Sequence, residues 1–178
     1  MNKIYFNNIN QKVLLDDDTK QVLLDDIQIG DIYEGGMIFY KGDGYGFISA
    51  LDDAPVTKVW GCIGTTIGST GNTLGDGEAN TLDIVGGCAD TASAAYYCDN
   101  LSLSGYTDWF LPAYDTMNTN MRQELYVKSR GNLTGDGYYW TSTEVSSTQS
   151  KPNSFMYGFY NRDKTDSLYV RPIRKYII

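Results

Sequence analysis

The chain contains no histidine. That removes the commonest general base at neutral pH, the Ser–His and Cys–His nucleophile pairs, and zinc sites built with imidazole. Cysteine is scarce: Cys62, Cys88 and Cys98, with no CxxC spacing, which argues against thiolate-bound zinc as well. One disulfide and three buried thiols fit this odd count equally, and spacing does not decide between them. Basic residues are the minority, 14 against 22 acidic ones, for a net charge of −8. Nucleic acids and anionic membrane surfaces both reward clustered Lys and Arg, so neither is expected as a partner, and the acidic balance points to solubility. No apolar run approaches the ~18 residues of a membrane span, so no membrane insertion is expected. The N-terminus MNKIYFNNINQKVLLDDD lacks an apolar stretch of signal-peptide length. As written, the chain is made and folded in a cytoplasm; a chain cut from behind a leader would look the same.

Tyrosine is what the sequence has in excess: 15 of them, with 3 Trp and 6 Phe. Aromatics carry large contact area on few rotatable bonds, which serves cores and binding surfaces alike. The 178 residues suffice for one domain with a real core and a short extra segment.

Residues 1–29 form that extra segment. Ile4–Phe6 is β-prone, and Val13-Leu14-Leu15-Asp16-Asp17 recurs as Val22-Leu23-Leu24-Asp25-Asp26. Each VLL reads as a strand, with Asp-Asp-Thr-Lys turning between them. So small a unit cannot bury its own apolar face and needs something to pack on. In residues 30–178, Met37–Tyr40 and Gly46–Ala50 read as a hairpin across Lys41-Gly42-Asp43-Gly44-Tyr45. Gly64–Asn80 is a long Gly/Thr/Asn loop, of the kind that is often functional. Asn80 or Thr81 then caps a helix whose apolar positions Leu82, Val85, Cys88, Ala92 and Ala95 run on to Cys98. Gly105–Met117, GYTDWFLPAYDTM, reads as a reversal that drops Tyr106, Trp109 and Phe110 into the core and starts a second helix behind Pro112. That helix, Tyr114–Tyr126, aligns Met117, Met121 and Leu125. Tyr138–Glu144 and Ser154–Tyr160 alternate as strands, with Phe155, Tyr157 and Phe159 on one face and Met156 and Tyr160 on the other. Ser167–Lys175 is the last strand, Pro172 marking an edge or an irregularity. The order of strands, helix, helix, strands predicts an α+β fold with mainly antiparallel sheet.

These pieces, in this order, resemble one family. GGMIFY, GFISA, Trp60, GEANTLDIV, YYCD, GYTDWFLPAYDTMN, YYWTSTE and YVRPIR look like the C-terminal domain of Legionella collagen-like adhesin, long catalogued as a domain of unknown function. The resemblance covers about residues 30–178. It implies a C-type-lectin-like domain, related to the formylglycine-generating-enzyme fold, with two helices against antiparallel sheets and with first and last strands paired. It also implies a non-enzymatic role in display. Members stand at the ends of bacterial surface proteins and in phage fibre, decoration or receptor-binding proteins. On that basis the expected protein is a phage virion component, with a bacterial surface adhesin as the alternative. Residues 1–29 would contact other virion proteins or oligomerise the chain, with a trimer favoured, and the ligand would be a host-surface glycan or protein. Family members often carry Ser or Thr where Ala113 stands, a hydroxyl able to cap the helix; Ala113 cannot.

The expected ligand surface is Met156, Tyr160, Asn161 and Arg162, because aromatics beside Asn and Arg suit protein or glycan recognition. No cofactor is required, and calcium is the one candidate metal. Gly-Asp-Gly occurs at 42–44, 75–77 and 135–137 without EF-hand spacing, so these are turns first. Asp76, Glu78 and Asn80 cluster as the best oxygen ligands. Asp16, Asp17, Asp18, Asp25 and Asp26 read as solvated turns before they read as a cation site. The copper–thiol chemistry of the formylglycine-generating enzymes needs two adjacent thiols. Cys88 and Cys98, about 15 Å apart along one predicted helix, would not supply them, which leaves Cys62 to approach one of the two. Arg171 and Arg174 are expected to pair with carboxylates, Asp108 among them.

Overall fold

A computed structural model describes residues 27–178 apart from positions 43 and 159, together with the backbone pairing of two strands near the N-terminus. Those two are β1 (Lys3–Phe6) and β2 (Lys12–Leu15), antiparallel with Lys3 opposite Leu15 and Phe6 opposite Lys12. This hairpin joins the β-prone run Ile4–Phe6 to the first VLL. The second VLL, the acidic positions Asp16, Asp17, Asp18, Asp25 and Asp26, and Phe159 lie outside the described residues.

The main sheet has four antiparallel strands in the order β3 (Ile32–Tyr33), β4 (Gly36–Lys41), β5 (Tyr45–Ala50) and β8 (Ile173–Ile177). The expected hairpin is thus β4–β5. The last strand pairs with β5, so the expected pairing of first and last strands does not hold. Between β5 and β8 lie α1 (Gly77–Gly87), α2 (Ala94–Asp99), a π-helix (Thr116–Tyr126), and the short strands β6 (Gln149–Ser150) and β7 (Arg162–Asp163), which pair with each other. The fold class is α+β. Residues 27–29 pack with the body: Ile27 is buried beside Ile38 and Ile48, and Lys41 Nζ donates to the Ile27 carbonyl at 3.1 Å.

Side-chain alternation along β4 and β5 feeds two different cores. Ile38 and Ile48 face one side with Tyr176, while Phe39 and Phe47 face the other with Met117, Met121 and Leu125 of the π-helix. A third core holds Trp60, Ile84, Ala95, Cys98 and Trp140. The segment 105–117 ties all three together. Trp109, Phe110 and Leu111 are consecutive, yet each enters a different core, and Phe110 exchanges both backbone hydrogen bonds with Ile173 of β8 at 2.8 and 3.0 Å.

Three sequence expectations fail, each for a local reason. The single helix expected behind an Asn80 or Thr81 cap is two, and the first starts earlier, at Gly77, with Asn80 and Thr81 inside it. Gly86 and Gly87 weaken the middle of the expected helix, Cys88 is extended (φ −148°, ψ 148°) and disulfide-bonded to Cys62, and Ser93 starts α2 by accepting the Tyr96 amide at 3.1 Å. Tyr138–Glu144 is no regular strand. Tyr139, Trp140, Thr141, Ser142, Thr143 and Glu144 are all buried, so alternation has no meaning there. Their amides bond carbonyls from four separate segments, among them Asn153, Tyr169, Pro112 and Ser69. The strand expected over 154–160 is instead a turn at 155–157, where Ser154 Oγ accepts from the Met156 and Tyr157 amides, followed by Gly158 at φ 70°. Tyr157 is consequently exposed, not core.

The missing cap at Ala113 is supplied from a distance. Thr143 Oγ1 accepts the Tyr114 amide at 3.1 Å and donates to the Gly71 carbonyl at 2.9 Å. Asn72 adds a second clamp on the same helix, its Nδ2 donating to Asp115 at 3.0 Å.

Candidate functional site

Five basic side chains in the C-terminal half show what this fold does with charge. Lys164 and Glu144 are both sealed from solvent and 2.6 Å apart. Lys164 also donates to the Thr65 carbonyl at 2.8 Å and lies over the Trp60 ring. Burial alone would raise the Glu144 carboxyl, but the Ile67 and Gly68 amides and Lys164 outweigh it and hold the group below its ordinary value. This pair fastens the long Gly/Thr loop to the body. Arg171 is buried against Asp53 at 2.6 Å and four backbone carbonyls. Arg174 binds Asp108 through Nε and Nη2 at 2.7 and 2.9 Å and Glu34 at 2.6 Å, as the sequence led us to expect for Asp108. Lys151 lies over the Tyr114 ring. All four are built into the framework.

Arg162 is different. It stands on β7 opposite Ser150, with its guanidinium 4.5 Å above the Tyr138 ring. Its Nε is sealed without a hydrogen-bond partner, and among the described residues it joins no ion pair. In the chain just before it stand three exposed large side chains: Tyr160 at 68%, Met156 at 57% and Tyr157 at 53%. Asn161 is exposed between Tyr160 and Arg162. Two glycines allow neighbouring side chains to close on the backbone that leads to Tyr138. A Cβ at Gly135 would meet Met156 Sδ at 2.7 Å, and one at Gly137 would meet the Tyr169 ring at 2.4 Å. The third Gly-Asp-Gly triplet is thus the floor of this surface. The four ligand-surface residues expected from sequence share one stretch of chain, all solvent-facing except the partly covered Arg162. Tyr138 as the platform for Arg162 was missed, because alternation had placed its segment in a strand.

The calcium candidates are engaged elsewhere. Asp76 accepts the Thr73 amide and hydroxyl, both at 2.8 Å, and these bonds lower its carboxyl from the ordinary value. Asn80 is buried, its Nδ2 donating to Gly71 O and Ser142 Oγ. Glu78 opens onto a cleft of about 150 Å3 with Asp99 and Asp108. Among the described residues no group of three or more His, Cys, Asp or Glu is placed to hold a metal. Cys62 and Cys88 are bonded to each other, and the Cys98 thiol is fully buried and pushed up by burial. A second open cleft, about 240 Å3, lies over Ala50, Leu51, Pro55, Leu101 and Pro172. No described helix is long and apolar enough to cross a membrane.

The fold is similar to part of a fimbrial protein from Bacteroides ovatus ATCC 8483, solved by crystallography, at a TM-score of 0.55 and 13% identity. The match covers 86% of this chain and 46% of the fimbrial protein, so this chain spans about half of that molecule's length. No family model matches the sequence, and no curated protein does. The likeness is one of fold; the lectin-like form rests on the motif resemblance alone.

Proposed function

We propose that this chain is a non-enzymatic binding domain of a bacterial surface structure, an adhesin-type module. The observation that carries this reading is the fold likeness to a fimbrial protein over 86% of the chain. The Cys62–Cys88 disulfide supports it, because such bonds persist in oxidising surroundings and are rare in a cytoplasm. That favours the outside of the cell over the cytoplasmic folding expected from the N-terminus. It also ranks the adhesin above the virion component, whose capsid-type proteins fold in the host cytoplasm. The fibre, trimer and residue 1–29 attachment roles belong to that second reading and have only the motif resemblance behind them. Exposed Met156, Tyr157 and Tyr160 beside Arg162 are the binding face in either case.

The test is protease shaving and antibody labelling of intact cells of the bacterium that carries the gene, with thiols trapped at lysis. The chain should be labelled from outside and should carry one free thiol and one disulfide. Recovery only from the cytosol with all three thiols reduced would refute the surface reading. Co-purification with phage particles would establish the virion instead.

A further inference from the structure

We infer that Arg162 and Tyr138 form the specificity element of the binding face, and that its ligand is a sugar carrying a carboxylate. The inference rests on the display reading above and names the ligand class for the same face.

The starting point is an arginine that is stacked on a tyrosine ring and takes no carboxylate among the described residues. In a chain of net charge −8, Arg171, Arg174 and Lys164 each take a carboxylate, whereas Arg162 takes none among the described residues. Its neighbour Asp163 is not available by geometry. Successive residues of a strand point to opposite faces, and Asp163 accepts from Gln149 Nε2 at 3.3 Å on the other one. Stacking on Tyr138 at 4.5 Å fixes the plane of the guanidinium and seals Nε. What remains is the edge formed by Nη1 and Nη2, the end-on fork that takes a carboxylate through two parallel hydrogen bonds. Arg174 answers Asp108 through its side-on fork, Nε and Nη2, so here the same residue type is used inward in one place and outward in the other.

The surroundings choose the kind of anion. One fork neutralises one charge. A nucleic acid or other dense polyanion needs a line of cations, which this face lacks. Tyr157 and Tyr160, both more than half exposed, offer flat faces to the C–H side of a pyranose ring, and Asn161 offers an amide to its hydroxyls. An acidic sugar presents both features in one residue: an apolar ring face and a single carboxylate at its rim. An acidic peptide presents the carboxylate without the ring.

The experiment is calorimetric titration of the full chain with 3′-sialyllactose and trigalacturonate. Lactose, maltotriose and a poly-glutamate peptide are run alongside. The acidic sugars should bind, weakening as salt rises, and the neutral sugars should bind at least about tenfold more weakly. Arg162→Lys keeps the charge but loses the fork, and should weaken the acidic sugars about tenfold or more while leaving the urea midpoint unchanged. Tyr160→Ser should weaken them as well, and Arg122→Gln, an exposed arginine on the π-helix, should not. Equal binding of lactose and 3′-sialyllactose, full retention of affinity by Arg162→Lys, or poly-glutamate binding as tightly as the sugars would each overturn the inference. Absence of all binding would overturn it too. Each of these outcomes is separate from the cell-surface labelling, which tests the display reading by itself.

Discussion

Replacing Lys164 by methionine is the sharpest perturbation of this fold. Lys164 and Glu144 have side chains 0% and 1% exposed and are 2.6 Å apart. Methionine is similar in length and fits the same space, so the substitution removes charge and hydrogen bonds more than volume. It leaves the Glu144 carboxylate buried, with only the Ile67 and Gly68 amides at 2.7 to 3.1 Å as partners. It also deprives the Thr65 carbonyl of its donor and the Trp60 ring of its cation. Breaking a buried pair in this way costs about 3–5 kcal/mol. For a chain of this size that corresponds to roughly 6–20 °C in Tm, at about 2–4 °C per kcal/mol. The assay is urea unfolding of the oxidised protein by linear extrapolation, on wild type, Lys164→Met, Glu144→Gln and the double variant. Glutamine still accepts from a loop amide and carries no charge. The double variant should therefore be less destabilised than the sum of the singles by about 2 kcal/mol or more. A Lys164→Met loss under about 1 kcal/mol, the worth of a surface pair, would refute the reasoning. So would strict additivity. Because Lys164 follows β7 directly, the same variant should also weaken ligand binding at Arg162.

Three further predictions follow from other contacts. Reducing Cys62–Cys88, which closes a 26-residue separation, should cost about 3.5 kcal/mol; thiol titration should find no reactive group in the native protein, one after unfolding and three after reduction. Glu144 titrates below its ordinary value of 4.5 in the folded chain, so its contribution is full above that value and is lost as pH falls through the folded value. Wild-type stability should drop in acid below about pH 4.5, and Glu144→Gln should flatten that drop in urea midpoints measured from pH 3 to 7. Thr143→Val removes the borrowed cap of the Tyr114 helix start and a bond to Gly71, and should cost about 1–3 kcal/mol in the same assay.

Much of the framework was legible beforehand because its periodicity is local. The β4–β5 alternation, the Met117–Met121–Leu125 stripe and the launch of a helix behind Pro112 each depend on neighbours a few residues away. The pairing of Arg174 with Asp108 was legible from charge balance. The Tyr138–Glu144 and Ser154–Tyr160 segments misled because alternation marks a strand only when one face is solvated and one buried. Tyr138–Glu144 is enclosed from 139 onward, and Ser154 turns its own chain. The face proposed above for binding was half legible. Met156, Tyr160, Asn161 and Arg162 stood out by composition, but Tyr138 is 24 positions before Arg162 and nothing in sequence spacing joins them.

By itself the sequence determined the α+β class, the absence of histidine chemistry, the acidic surface and the segment 105–117 as the centre of the fold. These follow from composition and short-range pattern, which survive any particular tertiary arrangement. Only the tertiary structure decided which cysteines pair, where the helix that starts at Gly77 breaks, how Thr143 caps the helix that Ala113 cannot, and that Arg162 stacks on Tyr138. Each of these depends on two residues far apart in the chain meeting at hydrogen-bond, covalent or ring-stacking distance, and spacing alone carries no record of that distance.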